Sequence, residues 1–392
     1  MHNSTSQTYT GIFNDSFPPI LDGVTLTVMN YVRWLPQSGM KPCVVTPWNP
    51  RRVECGCEVM RYFSLPIPSR RPYRYGYPKA DPFIWKRLDN THFNLVHSHC
   101  PFSSGRLAVY VKKKQNVPLI GTFHSKYRSD LEHSFRRTPW FVPIIMRRII
   151  GFFNACDEVW IPQAAVQETV REYGYKGPLT VVDNGIDFAD IDSESLKETK
   201  SEARKRAGIS PSALSLLFVG QHIWEKGIGI IVEALAKISG KVDFTMDFIG
   251  TGYAIDDLKS LVARLGLSGQ VRIHGCVEER GRLKDFYAAA DVFLFPSLYD
   301  NAPLVVREAA AMGTPSVIPE GSTASEVITD GVNGFLTQHS AEAYARTIES
   351  LAKNREEIIR TGIAAKQTIV RNWRDVVEEV ADRYRVILKR RT

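Results

Sequence analysis

At 392 residues, with 44% hydrophobic and 23% charged residues, the chain has the length of two domains and the apolar content for two cores. No apolar run reaches membrane-spanning length, since the nearest, WFVPIIMRRIIGFF (140–153), is broken by Arg147 and Arg148. The net charge of +8 is uneven: residues 1–187 carry 23 Lys and Arg against 14 Asp and Glu, whereas residues 188–392 carry 27 against 28. An anionic partner is therefore expected for the first half.

The opening MHNSTSQTYT has neither the basic region nor the apolar stretch of a secretory leader. Cysteines at 43, 55, 57, 100, 156 and 276 then read as free thiols of a reducing, cytoplasmic setting. TGIF, CVVTP, LVHSH, PLIGTF, EVWIP and LTVVDN are short apolar runs of strand length, each followed by polar or helix-forming sequence. That alternation predicts a parallel sheet with crossover helices. FPPILDGV (17–24) is a turn-rich loop after the first strand; Gly23 allows close backbone approach, and Asp22 reads equally well as a loop cap or a ligand contact. His124 stands at the carboxyl end of PLIGTF, where open α/β sheets bind ligands. His97, His99 and Cys100 invite a metal, but no further spaced ligand pair accompanies them, so a structural or acceptor-side role for His99 is favoured. Basic clusters recur in RRPYRYGY (70–77), KKK (112–114), FRR (135–137) and MRR (146–148). A helix within HSFRRTPWFVPIIMRRIIGFF (133–153) could set Trp140, Phe141, Ile144, Ile145, Met146 and Ile149 into a membrane interface and direct its arginines to anionic headgroups. The competing reading of that helix is a core element with its arginines in solvent.

After NGID (184–187), the polar and charge-mixed ADIDSESLKETKSEARKRAGISPSA (189–213) reads as a linker. LSLLFVG, VDFTMDFIG, QVRIHG, DVFLFP, PSVIP and GFL then repeat the alternation. WRDVVEEVADRYRVILKRR (373–391) carries apolar residues at helical spacing.

The stretch PSLYDNAPLVVREAAAMGTPSV (296–317) holds the most chemistry. Asp300 lies in a loop after an apolar strand, Glu308 lies in the helix that follows, and Gly313 and Pro315 end that helix. Unpaired N–H groups at a helix start suit phosphate, and carboxylates accept from hydroxyls. A ligand with hydroxyls at both ends and phosphate between them is a nucleotide-sugar.

The spacing Asp300-x(7)-Glu308 resembles the E-x(7)-E motif of the retaining glycosyltransferases of family 4. LLFVGQHIWEKGIGIIVEAL (216–235), DFIGTGYAIDDLKSLVARLGL (247–267), VRIHGCVEERGRLKDFYAAADVFLFPS (271–297) and EGSTASEVITDGVNGFL (320–336) resemble that family's C-terminal units. FNDSFPPILDGVTLTV (13–28), LVHSHCPFSSG (95–105), GTFHSKY (121–127) and VVDNGID (181–187) match its N-terminal motifs in order, most closely in the branch that glycosylates membrane lipids such as diacylglycerol.

The resemblance implies an α/β chain of the GT-B fold, with two doubly wound Rossmann-like domains facing a central cleft. Residues 1–187 would form the acceptor domain, 188–372 the nucleotide-sugar domain, and 373–392 a helix crossing back to the first. It implies that Lys226 meets the diphosphate, that Glu308 binds the ribose hydroxyls, that Asp300 and His124 contact the sugar, and that the amides of Leu304 and Val305 contact the phosphates. The family pattern G-R-x(4)-K-G is broken by Gln221, so a neighbouring cation such as His222 or Arg307 compensates or the diphosphate is held less tightly. Asp300 is shorter than the usual glutamate by one methylene, about a C–C bond of reach. No metal and no further cofactor are implied; the donor is the nucleotide-sugar, and transfer proceeds with retention, the departing phosphate helping to deprotonate the acceptor. The acceptor is a membrane lipid or a lipid-linked glycan, with the enzyme peripheral at the inner face of the cytoplasmic membrane, or else a soluble saccharide. Nucleotide base, donor sugar and oligomeric state are not written in these motifs. A nucleic-acid module is the alternative from another class. Arg71, Tyr73, Arg74, Tyr75 and Tyr77 come near its basic-aromatic pattern, but no recognition motif is present and Asp300, Glu308 and Lys226 would have no use.

Overall fold

The computed structural model describes residues 7–51, 53–68, 72–187, 193–298 and 300–391. The first six residues, Arg70 and Arg71 of the basic cluster, and residues 188–192, which include the start of the expected linker, lie outside the described residues. The chain divides into two compact units, one running to Gly185 and resuming at Trp373, the other spanning Ile186–Asn372.

Among the described residues the first unit holds nine strands: β1 (Thr8–Phe13), β2 (Met40–Pro47), β3 (Glu58–Tyr62), β4 (Ser64–Pro66), β5 (Arg74–Gly76), β6 (Leu95–Ser98), β7 (Leu119–Thr122), β8 (Glu158–Ile161) and β9 (Leu179–Val181). Seven form a parallel sheet in the order β3-β2-β1-β6-β7-β8-β9, and β4 and β5 make a separate antiparallel ribbon. Helices α1 (Gly23–Trp34), α2 (Pro82–Asp89), α3 (Ser103–Gln115), α4 (Tyr127–Ser134), α5 (Phe141–Ala155) and α6 (Val166–Glu172) supply the crossovers. The central strands β6 and β7 are buried along their length, which is why they read as continuous apolar runs rather than as alternation.

The second unit holds α7 (Ser193–Arg206), β10 (Leu214–Val219), α8 (Ile228–Ile238), β11 (Phe244–Ile249), α9 (Ile255–Arg264), β12 (Val271–Ile273), α10 (Arg280–Ala289), β13 (Val292–Leu294), α11 (Leu304–Ala311), β14 (Ser316–Pro319), β15 (Phe335–Thr337), α12 (Ala341–Lys353) and α13 (Arg355–Ile369). Its six strands are parallel in the order β12-β11-β10-β13-β14-β15, a doubly wound arrangement whose order reverses beside β10.

Two expectations are corrected. Residues 193–206, read as linker, are α7, held on the second unit by Lys200 Nζ and Arg204 Nη1 at 3.2 and 2.7 Å from the Asp291 carboxylate. The low apolar content that suggests a linker is that of a helix docked largely through charge, with Ala203 and Leu196 against the core. The boundary falls at 185/186 rather than 187/188, because Ile186 donates its N–H to the Arg371 carbonyl at 2.9 Å and bridges Asn372.

The last helix, α14 (Trp373–Lys389), belongs to the first unit. It packs Val376, Val377, Val380 and Tyr384 inward, and the Tyr384 ring stacks on Trp160 of β8 at 5.7 Å between centroids.

Candidate active site

In the second unit the carboxyl ends of β10 and β13 bring a lysine and a carboxylate together. After β10, residues Trp224–Lys226 make a tight 3-10 turn closed by Gly227 at φ +72°. A Cβ on Gly227 would fall 2.8 Å from the Pro296 carbonyl oxygen, so only glycine lets this turn press against the loop after β13. Lys226 Nζ thereby reaches Asp300 Oδ1 at 2.8 Å, with side chains 12% and 19% exposed. Ser297 Oγ donates to the other carboxylate oxygen at 2.7 Å, and the Thr323 hydroxyl donates to the Asp300 carbonyl. The short aspartate is thus fixed from three sides.

Pro303 is the N-cap of α11 and offers no side-chain cap. The first amides of the helix, on Leu304 and Val305, are left for an external acceptor at the positive end of the helix dipole. One turn further in, Glu308 is buried. Arg280 Nη2 donates to its Oε1 at 2.7 Å, and the Tyr287 hydroxyl donates to its Oε2 at 2.8 Å. Burial and the neighbouring carboxylate push the Tyr287 hydroxyl pKa well up, so it stays a donor. Arg280 Nη2 also lies 3.5 Å from Asp187, the last residue of the NGID motif.

Gln221 is exposed, and its side chain makes no hydrogen bond among the described residues. The two cations expected to stand in for it do not. The His222 ring is fully buried between Phe218 and Phe248, and burial lowers its pKa to about 4, so it is neutral. Arg307 is 5% exposed and donates Nη1 to the Ile369 carbonyl at 2.9 Å. Adjacent residues on a helix point about 100° apart, so Arg307 faces α13 while Glu308 faces α10.

In the first unit, β6 and β7 end side by side and bring two of the singled-out histidines together: His99 Nδ1 lies 3.0 Å from His124 Nε2. His97 stacks on His99 at 4.2 Å and is itself held between the Tyr384 hydroxyl at 2.6 Å and the Thr122 hydroxyl at 2.7 Å. Burial lowers the pKa of His124 to about 4 and carries His97 and His99 well below the usual value. The rings are neutral, and the His99–His124 contact joins one N–H to one lone pair. Asp22 is a helix cap: its carboxylate accepts from the Thr25 amide at 2.7 Å and from Ser16 Oγ at 3.1 Å. Gly23 is the exposed first residue of α1, and its carbonyl accepts from the Thr27 hydroxyl at 3.0 Å. Among the described residues no group of three or more His, Cys, Asp or Glu is placed to hold a metal ion.

Three participants escaped sequence reasoning. Arg280 and Tyr287 hold Glu308 from α10, and Asp15 accepts from the Ser104 amide at 2.9 Å and the Tyr62 hydroxyl at 3.1 Å, anchoring the start of α3. Asp15 could have been noticed as the carboxylate two residues past the first strand. The α10 pair left no such mark.

This geometry, a lysine–carboxylate pair beside an uncapped helix start at the carboxyl ends of central parallel strands, coincides with two family matches. Residues 21–190 match the model described as Glycosyltransferase Family 4, and residues 199–368 match Glycosyl transferases group 1. The chain is a family 4 glycosyltransferase. The transferase is 23% identical over 346 residues to an alpha-monoglucosyldiacylglycerol synthase of Streptococcus pneumoniae, covering 87% of this chain and 78% of that protein. It is 23% identical over 390 residues to a protein of the same description from Acholeplasma laidlawii, covering 95% and 97%. It is 30% identical over 307 residues to a D-inositol 3-phosphate glycosyltransferase of Streptomyces griseus, covering 72% and 64%. Among solved structures, the transferase superposes on Anabaena HepE in complex with UDP and glucose with a TM-score of 0.77 at 18% identity, covering 96% of this chain and 99% of that one. Sucrose-phosphate synthase of Thermosynechococcus elongatus gives 0.79 at 17% identity, covering 98% and 100%. The fold is GT-B, with two Rossmann-like domains.

Proposed function

We propose that the enzyme transfers a hexose, with retention, from a uridine diphosphate sugar to a hydroxyl of a membrane lipid of the diacylglycerol type. The observation that carries this is the Lys226–Asp300 pair beside the uncapped start of α11. Lys226 and the Leu304 and Val305 amides would take the diphosphate, whose charge grows as the sugar leaves; preorganised donors aimed at developing charge are the largest catalytic effect of this kind. Asp300, released from Lys226 or shared with it, would accept from sugar hydroxyls, and Glu308 would serve the ribose. His124, kept neutral by burial and held by His99, would offer a ring nitrogen to a ligand hydroxyl.

Neither Asp300 nor Glu308 stands free as a nucleophile, since each is paired to a cation. That supports a transfer in which the departing phosphate takes the acceptor proton and the protein supplies position and charge. The uridine donor rests on the neighbour solved with UDP and glucose, and the lipid acceptor on the two synthases that match along most of the chain.

The membrane would be met by the first unit. No helix among the described residues is long and apolar enough to cross a bilayer. Met146 and Ile149 of α5, expected at an interface, are core residues. What α5 and the turn before it do expose are Trp140, 62% accessible, and Phe141, with Arg136, Arg137, Arg147 and Arg148. Aromatic rings at headgroup depth flanked by arginines make a peripheral contact.

A second reading, a soluble polyol or saccharide acceptor, is favoured by the higher identity to the inositol-phosphate transferase. The test is to incubate purified protein with UDP-, GDP- and ADP-glucose, first alone and then with diacylglycerol vesicles or inositol phosphate. Release of UDP that depends on the vesicles is expected. No turnover with any nucleotide-sugar would overturn the transferase site, and turnover with inositol phosphate alone would select the second reading.

A further inference from the structure

We infer that Cys55 and Cys57 form a reversible thiol–disulfide site, closed by exchange with a low-molecular-weight disulfide and reopened by the corresponding thiol. The site stands apart from the groups assigned above to donor and acceptor, and the inference does not rest on them.

Cys55, Gly56 and Cys57 lead directly into β3. Gly56 has φ +67°, and nothing stands within 4 Å of where its Cβ would lie. Backbone conformation, not crowding, therefore calls for glycine here. The bend brings the flanking side chains together, and their Sγ atoms lie 3.9 Å apart. Bond formation at about 2.05 Å asks for a further approach, and glycine is the residue between them that yields most readily. A third thiol, Cys43 of β2, is close to Cys57 but is fully buried and hydrogen-bonded to Tyr9. Cys55 is thus the partner that Cys57 meets.

Both cysteines are partly exposed and line an open cavity of about 710 Å³, with Lys41, Val53, Glu54 and Glu58 around them. A space of that size takes a small molecule. Lys41 and Glu54 are exposed and supply one charge of each sign, which suits a peptide disulfide bearing both carboxylate and ammonium. The pair sits at the amino end of β3, whereas His99 and His124 follow the carboxyl ends of β6 and β7 in the same parallel sheet. The two places are at opposite ends of the strands.

The exchange runs in two steps. The Cys55 thiolate attacks one sulfur of the small disulfide, forming a mixed disulfide and releasing the first thiol. Cys57 then gives up its proton and attacks Cys55 Sγ, releasing the second. The two cysteines lose two electrons and two protons, and the small disulfide takes them up as two thiols. Burial, and after it the neighbouring Cys55, push the Cys57 thiol pKa up, so Cys57 remains protonated at first and acts second. Bonding of Cys55 removes the second of these influences. A bridge across a single residue closes a small ring, and a strained disulfide is readily reduced. The pair is therefore open in a reducing setting and closes only when the thiol pool becomes oxidised.

The test holds the full-length protein in glutathione buffers of stepped oxidised-to-reduced ratio, quenches with acid, and blocks remaining thiols with N-ethylmaleimide in denaturant. Trypsin releases both cysteines, and no other, in one peptide, residues 53–61, which mass spectrometry reads. In reduced buffer this peptide should carry two maleimide groups. As the ratio rises, most of it should lose both groups together with two hydrogens, and excess dithiothreitol should restore the first form. Cys57→Ser cannot close, so Cys55 should instead retain one glutathionyl group. The inference falls if the wild-type peptide keeps both maleimide groups at every ratio, or gathers glutathionyl adducts in place of the internal bond. Recovery of Cys57 bridged to Cys43, or closure that dithiothreitol does not reverse, overturns it as well.

Discussion

Lys226 Nζ and Asp300 Oδ1 lie 2.8 Å apart, so the group assigned to the diphosphate and the group assigned to the sugar neutralise each other in the free enzyme. Donor binding has to loosen this pair or share it, and the two partners should fail differently when changed. Lys226→Met removes the phosphate cation and leaves Asp300 uncompensated; kcat/KM should fall by roughly 10²–10³ and nucleoside diphosphate binding should weaken. Asp300→Asn frees Lys226 for phosphate, so UDP binding should hold or tighten while transfer falls. Steady-state kinetics together with calorimetry separates the two, and parallel losses in both variants would argue against divided roles.

Gln221 leaves an uncharged, unengaged side chain where relatives of this motif carry arginine, and neither His222 nor Arg307 fills the place. Gln221→Arg should therefore tighten UDP binding by about 1–2 kcal/mol, the margin of a charged over a neutral hydrogen bond. Unchanged affinity in calorimetry would mean that Lys226 and the α11 amides already satisfy the diphosphate.

The histidine stack of the first unit gives a pH dependence of fixed sign. His124 is held at about 4, and His97 and His99 well below 6.5, all by burial. Above the unfolded value near 6.5 the rings are neutral in both states and no stability is lost. As pH falls from 6.5 towards 4, the unfolded chain takes up protons that the folded unit refuses, and stability drops by up to about 1.4 kcal/mol per pH unit for each ring. Thermal unfolding followed from pH 7.5 to 4.5 should show this fall, and His99→Gln should make it shallower. An unaltered slope in that variant would place the titration elsewhere.

The exposed Trp140–Phe141 pair and the arginines of α5 should bind anionic vesicles in proportion to charge. Each basic group near such a surface contributes about 1 kcal/mol and is screened within a Debye length. Co-sedimentation should therefore require anionic lipid, fade between low and high salt, and weaken in Arg147→Ser/Arg148→Ser. Equal partitioning to neutral and anionic vesicles would exclude this attachment.

What was legible in the sequence follows from how local each signal is. The strands announced themselves because strands of a parallel sheet covered on both faces are continuously apolar, as in LSLLFVG. Lys226, Asp300 and Glu308 stood out because strand, loop and helix start adjoin in sequence. Glu308's partners did not, because Arg280 and Tyr287 sit 28 and 21 residues upstream across a strand, and no periodicity links such positions. α7 reads as linker because only Leu196 and Ala203 mark its inward face, and Lys200 and Arg204 complete the docking. The fate of Arg307 was hidden for a related reason: neighbours in sequence, Arg307 and Glu308 diverge around the helix.

Because α14 completes the first unit while following the second in the chain, the two cannot mature in the order they are synthesised. When the ribosome has delivered residues up to Gly185, the outer faces of Trp160 and Tyr31 still lack the helix that covers them. The second unit, contiguous from Ile186 to Asn372, has all of its strands as soon as it emerges. The nascent protein thus carries an open apolar face through the whole synthesis of its partner unit, a window in which a chaperone has something to hold, and which closes only when Trp373 and Tyr384 arrive.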